Sequence, residues 1–381
     1  MYRYFRVLLL LLVSSYSYLL AQTESESSES AFNVRVGYTG LSFGNSLRHN
    51  GLRFNWSDRD VEEINGFNFT LWKPAEHLSG TINGLSFGIV GPGAEYLNGV
   101  SIGGLAVLAK ERLSGVSIGG LAVVSQGSAV GLNFGGLAVV GKSDISGINV
   151  AGLACVTEGD IRGLSFASAA LVGKGDISGL SFGGLACVTQ GSMSGLNIGG
   201  LACVSNGAMN GLNFGGLALV GKDRLSGINF GGLALVSEGT VRYINIAGLA
   251  VVGKDGISGV TVAGLGIVSK RDIVGLNVTL GDLRSDNPED DVSIRGLNFG
   301  GYRIRAKEIS GLNVSVVMTQ ADQAKGVMIG GYNRVYGTQK GISIGLFNHA
   351  TQLLGFQIGI LNYAENNPKF FRLLPFLNFH L

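Results

Sequence analysis

The sequence predicts an all-β chain wound as a β-solenoid of 16-residue coils. Three observations carry that expectation. The 381 residues include 63 glycines and only 5 prolines, more than twice the roughly 7% glycine of an ordinary chain and without collagen's three-residue period. From Gly99 a 16-residue unit repeats without a slip through Gly115, Gly131, Gly147 and onward to Gly275. Within each unit apolar and polar residues alternate with period two, the mark of a short strand, and no helical period is present. Identical units at a fixed spacing stack when every coil meets the same surroundings. An up-and-down outer-membrane-type β-barrel with one strand per repeat is the alternative. It would place apolar residues on a lipid-facing wall. Its two rims, however, would make turn types alternate every second repeat, and they do so only weakly.

The elements follow in chain order. Residues 1–21 read as a signal peptide: Arg3 and Arg6 precede the apolar run VLLLLLV, and the small Ala21 stands before Gln22. Residues 22–39 combine a polar leader, TESESSES, with a first strand. Residues 40–98 hold irregular repeats (GLSFGNSLRHN, GLRFNW, GFNFTLW, GLSFGIV), and 99–274 hold the regular units. Residues 275–381 carry further irregular repeats and end on an alternating strand, LPFLNFHL.

Numbering each unit from its first glycine, as in GLNFGGLAVVGKSDIS, gives every column a physical reading. Positions 2 and 4 are apolar around a polar position 3, as in a half-buried strand. Gly-Gly at positions 5 and 6 predicts a bend or a close backbone approach. Alanine at position 8 in ten successive units, Ala106 to Ala250, predicts a space fitting only a methyl group. Positions 7, 9 and 10 are apolar. Positions 11 to 13 carry turn residues, and position 15 adds one more apolar contact.

One unit contains GLAVVGKS, residues 136–143, which satisfies the phosphate-binding pattern G-x-x-x-x-G-K-[ST]. A P-loop places its lysine and hydroxyl residue between a strand and a helix. Here the same positions elsewhere read GLACVTEG and GLALVGKD, and another strand pattern follows. The segment is therefore expected to be a repeat turn, with no nucleotide as partner.

The repeats GLNFGGLALV, GISIGLFNHA and GFQIGILNYA, with the ending NNPKFFRLLPFLNFH, resemble a bacterial family of secreted surface-repeat proteins. That family was first named from spirochaete surface proteins and is common in Bacteroidota. The resemblance spans residues 40–381. It implies an exported protein at the cell surface or outer membrane, with no established enzymatic activity and no catalytic residues to carry over.

The remaining residues suggest no reaction centre. Net charge is +2, giving no electrostatic case for nucleic acid. His49, His77, His349 and His380 match no metal or triad spacing. Carboxylates such as Glu111, Asp144, Glu158, Asp160 and Glu238 are scattered among turns, whereas glycosidase chemistry needs a facing pair. The acidic run SDNPEDD, 285–291, lacks the glycine spacing of a calcium loop and is expected to be solvated. Cys155, Cys187 and Cys203 all occupy position 9 and are expected to be reduced, buried thiols. Cys187 and Cys203 would still stand one coil apart, within disulfide reach. The column at position 3, from Ser101 through Asn133 and Thr261 to Asn277, is either a surface stripe for a ligand or a stacked hydrogen-bond ladder. No catalytic, cofactor or metal residues are assigned. The expectation is a non-enzymatic exported repeat protein offering a structural or adhesive surface to an envelope partner or a membrane. A pore-forming barrel is the alternative.

Overall fold

The computed structural model describes residues 30–285 and 292–380, so the signal-peptide reading of 1–21 and most of the 285–291 loop lie outside the described residues. The described chain is strand-rich and falls into two compact units divided after Ser143. Both are β-solenoid, with a repeat spacing of about 16 residues.

In the second unit each regular coil has a long and a short strand. Ile161–Ala167 and Ala170–Gly173 form one coil. Ile177–Gly183 and Ala186–Thr189 form the next. Like strands pair parallel and in register, Leu164 against Leu180 and Phe166 against Phe182, with Leu171 against Cys187 in the short-strand sheet. A barrel of one strand per repeat would pair sequential neighbours antiparallel. The parallel offset of one whole coil corrects that alternative.

The coil has a charged corner at positions 12 to 14, a glycine corner at positions 5 and 6, and a bend at position 1 inside the long strand. At position 1 the glycines adopt φ near +100°, as at Gly195 (97°) and Gly211 (103°). A Cβ on Gly211 would run into the carbonyl oxygen of Gly195, one coil below. A residue without a side chain fits this stacked bend free of strain. Tyr243 is the exception in the column, with φ 73°. Over Arg303–Ala364 strand pairing runs on through the bends of successive coils, and the coils shorten: Gly326 stacks on Gly311, Gly341 on Gly326 and Gly355 on Gly341.

Inside lie two apolar columns. Position 15 (Ile161, Ile177, Met193, Met209) and position 9 (Leu171, Cys187, Cys203, Leu219) are completely buried. The inward residue at position 5 is glycine or alanine because the corner is narrow; a Cβ on Gly199 would strike the carbonyl of Ala202. Position 3 also points inward, and its asparagines are buried. The alternation was thus correctly period two, but positions 2 and 4 face outward. An interior that barely admits glycine at the corner has no room for phenylalanine beside it. Alanine at position 8, expected in a tight interior, instead lies half-buried on the outer face of the short strand, as at Ala186 and Ala202.

The first unit opens with an antiparallel pair, Ser30–Val36 on Thr39–Asn45. Parallel coils follow from Arg48–Asn55 onward. Its coils stack Gly51 over Gly40, Gly66 over Gly51 and Gly84 over Gly66, so the irregular repeats keep the glycine column although their spacing varies. At the other end of the chain, in the second unit, Leu373–His380 folds back antiparallel on residues 355–363.

Candidate binding surface

The position-3 column resolves into a buried ladder. Each amide donates to the next coil: Asn197 Nδ2 to Asn213 Oδ1 at 3.0 Å, Asn213 to Asn229 at 3.0 Å and Asn229 to Asn245 at 2.9 Å. After the single threonine at Thr261 it resumes, Asn277 to Asn298 at 2.9 Å and Asn298 to Asn313 at 2.8 Å. At the break, Asn245 Nδ2, Thr261 Oγ1 and Asn277 Oδ1 all lack a partner. The stripe is therefore an internal strut and offers nothing to a ligand.

In the first unit the same column holds a different device. Arg53 stands at position 3, fully buried, with Asp58 from the following loop. Arg53 Nη1 donates to Asp58 Oδ1 and to Asn68 Oδ1, both at 2.7 Å, and Nη2 donates to Asn45 Oδ1 at 2.9 Å. The Asp58 carboxylate also accepts from Asn55 and Asn68 Nδ2, Thr70 Oγ1 and the Gly93 amide. No signal in the repeat pointed to this pair, because Asp58 lies in an irregular loop. It is closed to solvent and acts as an internal clamp.

Through the regular coils between Asp144 and Asp272 charge is confined to one edge. Between Asp144 and Asp272 eight basic and eight acidic residues all fall at positions 12, 13, 14 or 16. They are organised from coil to coil. Asp160 and Asp176 accept the backbone N–H of the residue sixteen places on, at 2.7 Å each, and Lys174 meets Glu158 at 2.8 Å. Such exposed pairs add little stability, but they account for the turn carboxylates. A shallow depression of about 350 Å³ on this edge mixes Lys222, Arg224 and Arg242 with Asp223, Glu238 and Asp255. Among the described residues no group of three or more His, Cys, Asp or Glu could hold a metal ion. Residues 136–143 form a corner, the short strand Ala138–Gly141 and the turn beginning at Lys142, whose N–H donates to Ser125 O. The next element is the strand Ile145–Ala151, so the helix of a P-loop is not there.

The cysteines are free and buried. Cys187 and Cys203 are register neighbours in adjacent short strands, and their thiols donate to Ile198 O and Phe214 O at 3.2 and 3.3 Å. Burial pushes the Cys155 thiol up to about 12. The hydrogen bond with Cys187, followed by burial, moves Cys203 in the same direction.

Opposite the charged edge the perimeter is apolar. Leucines of position 7, including Leu185, Leu201, Leu217 and Leu249, protrude at the glycine corner with 44–52% of their surface exposed. Their backbone forms a continuous ladder, Leu217 N to Leu201 O at 2.7 Å. Positions 2 and 4 add parallel columns such as Leu164, Leu212, Phe166 and Phe214, 37–46% exposed, with Phe214 and Phe230 stacked at 4.9 Å. In the first unit the corner carries Leu105, Leu121 and Leu137, and two exposed indoles, Trp56 and Trp72, stack at 6.1 Å. A monomer's largest apolar patch ordinarily covers roughly 300–600 Å². Each coil here repeats three partly exposed large apolar side chains, so a handful of coils already passes that size. Comparison of the chain with protein-family models, curated proteins and solved structures gives no match.

Proposed function

We propose that the protein is a non-enzymatic, exported repeat scaffold that acts as an adhesive or structural surface at the bacterial cell surface or outer membrane. One observation carries this reading: the apolar columns at the glycine corner stand in the open while charge is held on the opposite edge. Long apolar columns kept exposed coil after coil cost solubility and add nothing to the core, which argues that something covers them. The basic and apolar N-terminal run and the resemblance to secreted surface-repeat proteins support export. The equal numbers of acidic and basic residues on the charged edge favour a partner recognised by its apolar surface over one recognised by charge.

The test is cell fractionation of the full chain with its own leader, beside the variant Leu201→Ser/Leu217→Ser/Leu233→Ser. The reading expects the parent in the envelope fraction and the variant released, with unchanged circular dichroism. A parent found in the cytoplasm, or a variant that stays in the envelope, would refute it.

A further inference from the structure

We propose that the outer face of the long-strand sheet in the second unit is an interface with a second copy of this chain. This rests on the reading above that the apolar perimeter is a binding surface, and it names the partner for one part of it.

The face has the anatomy of an interface. Its centre is the paired columns of positions 2 and 4, Leu164 with Phe166, Leu212 with Phe214, Ile228 with Phe230. Its border at position 16 is mostly short and polar, Ser178, Ser194, Asn210 and Ser226, the apolar core and polar rim expected of a specific contact. A large apolar side chain presents about 150–200 Å² when free. Two such residues, about 40% exposed, therefore leave roughly 140 Å² on each coil. About six coils then reach the ~800 Å² per partner of a stable dimer. The regular long strands from Ile145–Ala151 to Ile273–Thr279 already number nine.

A second copy also matches the face in period. Both carry side-chain columns at the same strand spacing of about 4.8 Å, so ridges of one enter the furrows of the other at every coil, as in two facing sheets. The last coils add a broader furrow. There position 6 changes from glycine (Gly200, Gly216) to Val316, Leu346 and Ile360, with Gly331 keeping the glycine between them, and these side chains stand beside Ile329, Ile344 and Ile358. The open groove between them holds about 690 Å³ and is also lined by Phe376. A two-fold contact would seat the same ridge of each copy in the furrow of the other.

Growth from the C-terminal end is discouraged by the fold. The closing strand Leu373–His380 carries Pro375, which has no N–H to donate, and pairs across a register shift between Gly359 and Asn362 of the preceding strand, an irregular edge.

Sedimentation equilibrium of the full chain is the test, run beside Phe166→Lys/Phe214→Lys/Phe230→Lys. Twice the monomer mass is expected for the parent, and at least a ~100-fold weaker association for the lysine variant, because like charges would face across the contact. The milder Ile246→Thr/Val262→Thr should weaken pairing in the same direction, and Gln190→Lys on the charged edge should not. A parent that is monomeric, or a dimer indifferent to the face variants, overturns the proposal. Monomers that still fractionate with the envelope would overturn the pairing alone and leave the docking reading standing. A dimer that shows no envelope association would uphold the pairing while refuting the docking.

Discussion

Thr261→Asn should stabilise the protein by joining two segments of the internal ladder. Thr261 stands in register with Asn245 on one side and Asn277 on the other. Asn245 Nδ2 points up the column without an acceptor, and Asn277 Oδ1 points down it without a donor. An asparagine at this position reproduces the geometry seen at Asn213, which accepts from Asn197 and donates to Asn229 at 3.0 Å each. Two amide–amide hydrogen bonds form and relieve two buried polar atoms, each of which costs roughly 1.5 kcal/mol when left unsatisfied. Ordering the larger side chain offsets part of this, about 1 kcal/mol. A gain of about 2 kcal/mol is expected. The reciprocal change, Asn229→Thr, should lose a similar amount. Urea unfolding followed by circular dichroism measures the total. Because a repeat array gains stability from neighbouring coils, amide hydrogen exchange at Val260 and Val262 should slow most. A neutral or destabilising Thr261→Asn would refute the assignment of the ladder as a stabilising strut.

Three further outcomes follow from the packing. Asp58→Ala leaves the Arg53 cation buried without its counter-ion and should cost about 3–5 kcal/mol. Arg53→Asn/Asp58→Asn, which restores the column's usual residue, should recover most of that in the same unfolding assay, and a double variant worse than the single would count against the clamp. Gly211→Ala should cost more than about 2 kcal/mol, since positive φ alone costs ~1–2 kcal/mol and the methyl also meets Gly195 O; Tyr243→Gly should move stability the opposite way by about 1 kcal/mol. His49, buried and with Nε2 at 3.0 Å from Gly40 O, is held below its ordinary value by desolvation, and His349 is lowered by the same cause and by Arg334. The folded state therefore binds fewer protons than the unfolded one. Stability should be fully present above about pH 6.5 and fall below it, with a shallower slope in His49→Gln/His349→Gln; equal slopes would contradict this.

The period, the turn positions and the first-position glycine column are legible in the chain because each is a local backbone requirement. Sixteen residues return to the same bend, where glycine takes a positive φ against the carbonyl of the coil beneath without strain and Tyr243 is the departure. The same regularity made residues 136–143 readable as a turn despite their phosphate-binding pattern. The buried Arg53–Asp58 pair was not legible, since its two members join through an irregular loop and no repeat column marks them. Nor could the period tell which side of each strand faces in. Alternation is symmetric: it separates Leu164 and Phe166 from Ser165 without saying which set is inside. The tertiary structure decided that question through width. Two sheets meeting at a glycine corner leave a gap that admits an asparagine ladder and excludes a phenyl ring, so the apolar columns are turned out to become the protein's exposed surface.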